Sequence, residues 1–199
     1  MKSAAVGFRV HSGWTALVAV ALEKGKPIVL ARQRPHLVAR FSYTFRQPYH
    51  TTEKMVLEEA REFLAKQQAE ARCYALAAIR AVERDIAQQG YQVARAALLL
   101  ASGRQLPELA KILAAHSLIH TADGQFFREA LLHGCAQCKL PVTCIKDRDL
   151  LAFASNTFRR KPTTLVKIAG DLGKPLGSPW TQDEKFATLA AWTALVKPS

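Results

Sequence analysis

The chain has 199 residues, 49% of them hydrophobic, and 28 Lys and Arg against 16 Asp and Glu give a net charge of +12. This composition suits one globular domain with a real core and excludes a chain too polar to fold. No run of about 18 apolar residues occurs, so a membrane-spanning helix is not expected. The apolar run Thr15 to Leu22 is too short for a span and is followed by no small-residue cleavage site. A secretory leader is therefore not expected, and the cytoplasm is the default location. The four cysteines (Cys73, Cys135, Cys138 and Cys144) are read as reduced thiols, because a chain this long and apolar needs no disulfide staples.

Ala4 to Val10 alternates with period two and predicts a strand. His11-Ser12-Gly13-Trp14 supplies a turn, and Thr15 to Leu22 forms the partner strand. Glu23-Lys24-Gly25-Lys26 is a second tight turn. It leads to a third strand, Ile28 to about Arg34, which Pro35 ends. Three strands joined this closely must be antiparallel neighbours. Phe41 to His50 reads as a loop. Thr51 or Thr52 then caps a long helix that reaches Gln89, with a possible break near Cys73 and Gly90 as its stop.

Gln92 to Ala101 is nearly continuous in apolar residues, the mark of a strand buried on both faces. A helix from Glu108 to about Ile119 follows Pro107, and a turn or kink at Thr121 to Gly124 precedes a further helix, Gln125 to Cys138. Pro141 to Ile145 is a short buried strand, and Asp147 to Ala154 is helical. Residues 156–180, rich in Gly and Pro, read as a crossing loop or flap. Thr181 with Glu184 forms a capping box for a last helix to about Val196. The expected organisation is an α/β core over residues 1–155, the crossing loop at 156–180, and a C-terminal helix at 181–199 completing the same domain. Strands reached by helical crossovers should run parallel to the first strand.

Val6-Gly7-Phe8-Arg9, then a turn and a second apolar strand, stands where one nuclease group carries hydrophobic-Gly-hydrophobic-Asp. Asp183-Glu184 precede the Ala-rich run Ala187, Ala190 and Ala191. On these stretches and the element order, the chain resembles the ribonuclease H-like superfamily, within it the Holliday-junction-resolvase-type nucleases. The resemblance implies a mixed sheet, three antiparallel strands followed by two parallel ones, flanked by helices. It makes Asp183 and Glu184 the family-equivalent acidic positions. It also exposes two departures. Arg9 replaces the first-strand Asp, and Ala101-Ser102-Gly103-Arg104 replaces a Glu expected at or after the fourth strand. Two-metal phosphodiester cleavage needs carboxylates around a pair of divalent ions, and a guanidinium repels such ions. The active site is thus degenerate, an active metal-dependent nuclease is not expected, and no catalytic residue is assigned.

The net charge points to polyanionic partners, nucleic acid or a ribonucleoprotein. Candidate contacts are Arg32, Arg34 and Arg40, interleaved with His36, Phe41, Tyr43 and Phe45, and a second group at Arg159 and Arg160. Arg9 and His11 share a strand face. Together with Ser102 and Arg104, at a strand-to-helix junction, they could hold a phosphate. Binding of nucleic acid without catalysis is the leading expectation. An enzyme acting on a phosphorylated substrate through Arg9, His11, Ser102 and Arg104 is the first alternative, and an assembly protein with an acidic partner the second. No cofactor and no metal is expected. Cys135-x-x-Cys138 with Cys144 has ligands that suit zinc but lacks a second pair. His116 and His120, one turn apart with Asp123 and Glu129 near, could bind a metal or serve acid–base chemistry, though the preferred reading is a polar helix face.

Overall fold

The structure, a computed structural model, describes residues 1–101 and 105–196. Three antiparallel strands open the chain: β1 (Lys2–His11), β2 (Trp14–Glu23) and β3 (Lys26–Gln33). The first hairpin turns at Ser12-Gly13, where Gly13 has φ of 80°, a conformation that costs a residue without Cβ nothing. The second turns at Lys24-Gly25, with φ positive at both residues, the form that matches the twist of paired strands. Then β4 (Tyr91–Leu100) pairs parallel to β1, and β5 (Val142–Lys146) pairs parallel to β4. The sheet order is β3-β2-β1-β4-β5. This is the ribonuclease H-like arrangement expected from the element order.

Side chains of each central strand divide between two cores, as a period of two requires. Val6, Phe8, Leu17, Ala19 and Leu98 face one helical layer, with Ile79, Phe127 and Leu131. Ala5, Val18, Val20, Ala97 and Leu99 face the other, with Leu150, Leu165 and Ala190. The first layer is α3 (Leu57–Ala87) and α5 (His116–Gln137). The second is α6 (Leu150–Phe158), α7 (Pro162–Leu172) and α8 (Gln182–Val196). Small residues let helices come close on both sides. A Cβ on Gly7 would collide with the Ala187 carbonyl of α8, and one on Gly134 of α5 would press on Ile79 and on the backbone of α3. Among the described residues no helix is long and apolar enough to cross a membrane.

Five local expectations are corrected. The stretch read as a loop at Phe41 to His50 contains α1 (Tyr43–Arg46) and most of α2 (Pro48–Thr52). Thr51 and Thr52 do not cap the long helix. Their hydroxyls donate backwards, to the carbonyls of Thr44 and Gln47 and of Tyr49, and so close α2. The long helix α3 begins at Leu57, with Glu58 and Glu59 against its dipole, and passes Cys73 without a break. The expected turn at Thr121 to Gly124 lies inside α5, and the break falls earlier, at Ala114-Ala115 after α4 (Leu109–Leu113). Residues 156–180 hold the end of α6 and all of α7. Pro162 occupies the first turn of α7, where its missing N–H costs nothing, and so starts a helix instead of preventing one.

Candidate functional site

The carboxyl ends of β1 and β5 and the first turn of α8 meet at one point. Residues 5, 7, 9 and 11 of β1 face α8, which places Arg9 and His11 over the start of that helix. Arg9 spans two acidic groups. Its Nε and Nη2 donate to both carboxylate oxygens of Asp147, each at 3.1 Å, in the fork-to-fork geometry. Its Nη1 donates to Asp183 Oδ1 at 2.7 Å. His11 Nε2 meets the same Asp183 oxygen at 2.8 Å, and the His11 ring stacks on Trp14 with centroids 4.5 Å apart. The Phe186 ring, one turn further along α8, packs 5.0 Å from the Arg9 guanidinium carbon.

A second guanidinium closes the strand ends from the opposite helical layer. Arg128 of α5 donates through Nε to the Leu99 carbonyl of β4 at 3.0 Å. Its Nη1 donates to the Gly124 carbonyl and its Nη2 to the Val10 carbonyl of β1. Burial lowers the pKa of this guanidinium, opposed by the charge of Asp147. Two fixed cations thus sit at the ends of the central parallel strands, with Asp147 and Asp183 turned inward onto one of them.

Beside this clamp, α8 starts on a capping box. Glu184 Oε2 accepts the Thr181 amide at 2.7 Å and its hydroxyl at 2.9 Å, while the Thr181 hydroxyl accepts the Asp183 amide at 3.2 Å. Glu184 is fully buried, and its Oε1 takes Arg34 Nε at 2.5 Å. Burial alone would raise this carboxyl. Arg34 and the Thr181 amide and hydroxyl overcome it and bring the pKa down to about 2. A carboxyl lowered on folding contributes stability above its unfolded pKa, near 4.5, and loses it as pH falls towards 2. About 2–3 kcal/mol should be lost across that window, less than the full shift implies because Arg34 meets solvent. Urea melts of the wild type and Glu184→Gln at pH 7, 4 and 2.5 check this: the stability gap between them should shrink as pH falls.

The structure brings Arg9, His11, Asp183 and, through Glu184, Arg34 together, but as partners of carboxylates. Arg32 is likewise engaged, donating to the carbonyls of Gly177 and Pro179 at 3.0 and 2.6 Å. Arg40 is exposed. A shallow cleft of about 270 Å³ near it is lined by Trp14, Arg34, His36 and Phe41. In this cleft His36 stacks on Phe41 at 4.4 Å and Arg34 lies over Trp14 at 5.0 Å. Arg159, exposed, ends α6 in the left-handed conformation. Arg160 lines a separate cleft of about 620 Å³ with Lys26, Pro27 and Trp192. The two clefts share no lining residue. Ser102 and Arg104 lie outside the described residues, so the phosphate pocket built on them is not part of this geometry.

Sequence reasoning missed Asp147 and Arg128. Asp147 follows β5 directly, at the carboxyl end of a parallel strand, and that position was its one available signal. Arg128 carries no such signal, since it is one basic residue in the middle of a helix. The cysteines are free thiols, and burial beside Cys138 and Cys144 raises Cys135 to about 12, far from a reactive thiolate. Among the described residues, the group of side chains close enough to share a metal ion is made of histidines, not cysteines.

No family model matches the chain, and no curated protein matches it in sequence. Solved structures do match in fold. The RuvC structure from Thermus thermophilus is 13% identical, with a TM-score of 0.55, over 97% of this chain and 93% of that one. The T. thermophilus RuvC in complex with its Holliday junction substrate is 12% identical, with a TM-score of 0.54, over 98% and 93%. The chain therefore has the fold of RuvC-type Holliday junction resolvases along nearly its whole length.

Proposed function

We propose that this protein binds nucleic acid through its basic surface and does not cut it. The observation that carries the proposal is the Arg9 clamp. A divalent ion at the end of β1 would need the carboxylates of Asp147 and Asp183, and both are bonded to a guanidinium at 2.7–3.1 Å. Arg9 supplies the positive charge that such an ion would bring, without a Lewis-acid centre or an activated water. The acidic positions persist as a structural ion cluster. A polyanion partner is supported by the charge of +12 and by the fold shared with a protein solved on a Holliday junction.

The surface that fits best is the cleft beside the first hairpin. Trp14, His36 and Phe41 line it, their rings stacked with His11, Arg34, Arg46 and each other, so a base would add to or displace these stacks. Arg34 adds a partly exposed cation, and Arg40 and Tyr43 are exposed beside it in the chain. Aromatic rings that stack on bases, flanked by cations that follow the phosphates, make a platform for nucleic acid. Arg159 and Arg160 form a separate basic site in this proposal.

Fluorescence anisotropy with a four-way junction, a duplex and a single strand tests the proposal, together with a cleavage assay in Mg²⁺ and Mn²⁺. Binding should weaken at least about 100-fold between 50 and 200 mM salt. Phe41→Ala combined with Arg40→Ala should weaken it about 10-fold. No strand should be cut. Absence of binding at low salt removes the first half of the proposal, and metal-dependent cleavage removes the second.

A further inference from the structure

A second constellation lies away from the Arg9 clamp, where α2 docks on the start of α5. His116 and His120 stand one turn apart on α5 and share a face. The fold brings His50 of α2 against both, its ring 5.2 Å from that of His116 and 4.4 Å from that of His120. One donor nitrogen from each of the three lies within 4.8 Å of the others, and the Nε2 atoms of His116 and His120 are 3.1 Å apart.

The outer nitrogens are also specified. His50 Nδ1 donates to Asp123, whose carboxylate is buried and further accepts the amides of Tyr49 at 2.8 Å and His50 at 3.4 Å. His116 Nδ1 faces Glu53 Oε1 at 3.6 Å. A carboxylate on Nδ1 fixes the tautomer that leaves the Nε2 lone pair free, and this is how metal-ligating imidazoles are oriented. Two Nε2 lone pairs 3.1 Å apart repel unless a proton or a cation lies between them.

We propose that His50, His116 and His120 form a site for a divalent transition-metal ion of the zinc class. Asp123 and Glu53 orient two of the rings, and the fourth coordination position is left to water. Three imidazoles suit zinc, copper or nickel and not magnesium or calcium, which prefer oxygen. Tetrahedral ligands at 2.0–2.1 Å from zinc stand about 3.3 Å from one another. The His116–His120 pair is already near that spacing. Closing the widest gap takes about 1.5 Å, which the exposed side chains of His116 and His120 can supply by rotation. The ion would pin α2 to α5 roughly 12 Å along the helix from Arg128, apart from the strand ends.

The test uses untagged full-length protein, since a histidine tag would compete. Calorimetric titration with ZnCl₂ should give one ion per chain. Zinc at 100 times its Kd should raise the Tm by about 5–10 °C. His116→Ala and His120→Ala, both at exposed positions, should each weaken binding at least 100-fold and leave the metal-free Tm nearly unchanged. Asp123→Asn should weaken binding about 10- to 100-fold. Cobalt(II) should give tetrahedral d–d bands without thiolate charge transfer. The proposal is overturned by absence of stoichiometric zinc binding or by undiminished binding in the His116→Ala/His120→Ala double variant. A thiolate-to-cobalt band, which would assign the metal to cysteine, also overturns it.

Discussion

Replacing Arg9 with Met should destabilise the protein by about 2–3 kcal/mol, although the new side chain fills a similar volume. The loss comes from what remains behind. Asp147 and Asp183 would lose the cation that joins them, and Asp183 would keep His11 and a long bond from the Thr181 hydroxyl. Breaking a fully buried pair costs about 3–5 kcal/mol. The lower figure applies here because the Asp147 side chain is 37% exposed, so water recovers part of its charge. Arg9→Lys should recover less than half of the loss, because an ammonium cannot reproduce the two parallel bonds to Asp147 or reach both carboxylates at once. Arg9→Asp is the more informative variant. It sets three carboxylates and His11 around one point, so its stability should be poor in chelator and should rise with Mn²⁺, whereas the wild type should not respond there. Urea denaturation of the four proteins with and without Mn²⁺ measures this. Equal stability of wild type and Arg9→Met would sink the view that the clamp replaces an ion.

Gly7→Val should cost at least about 4 kcal/mol, and Gly7→Ala about 3 kcal/mol. The reason is backbone against backbone. A Cβ on Gly7 meets the Ala187 carbonyl and lies 3.0 Å from the Ala191 amide nitrogen, and neither can move without lifting α8 from β1. The displacement would reach the Arg9 clamp, since Asp183 rides on the first turn of α8 and Arg9 is two residues along β1. Gly7→Ala should therefore lower the urea midpoint and also loosen the Arg9–Asp183 bond, visible as a shift of the Arg9 Nη or Asp183 carboxyl resonances. A neutral Gly7→Ala would mean that α8 packs less closely than described.

Strands, turns and their order were legible because they depend on near neighbours. The period-two alternation in Ala4 to Val10, the turn at Lys24-Gly25 and the apolar run of β4 each reflect local pleating and local φ preference. The capping box at Thr181 and Glu184 was legible for the same reason, its partners being three residues apart. Helix α7 was not, because Pro and Gly signal both breaks and helix ends, and only packing of Leu165 and Ala169 into the second core decides between them. Arg9 and Asp183 were singled out from the sequence pattern, but their meeting was not.

What the sequence by itself determined is the five strands and their directions, the body of the long helix α3 and the capped start of α8. What only the tertiary structure decided is which charges meet. Arg9 finds Asp147 138 residues away and Asp183 174 residues away, and His50 finds Asp123 at a separation of 73. Those encounters depend on the parallel register of β1, β4 and β5 and on how closely α8 and α5 seat against them. A side chain's partner is set by the summed packing of both cores, which no local periodicity encodes.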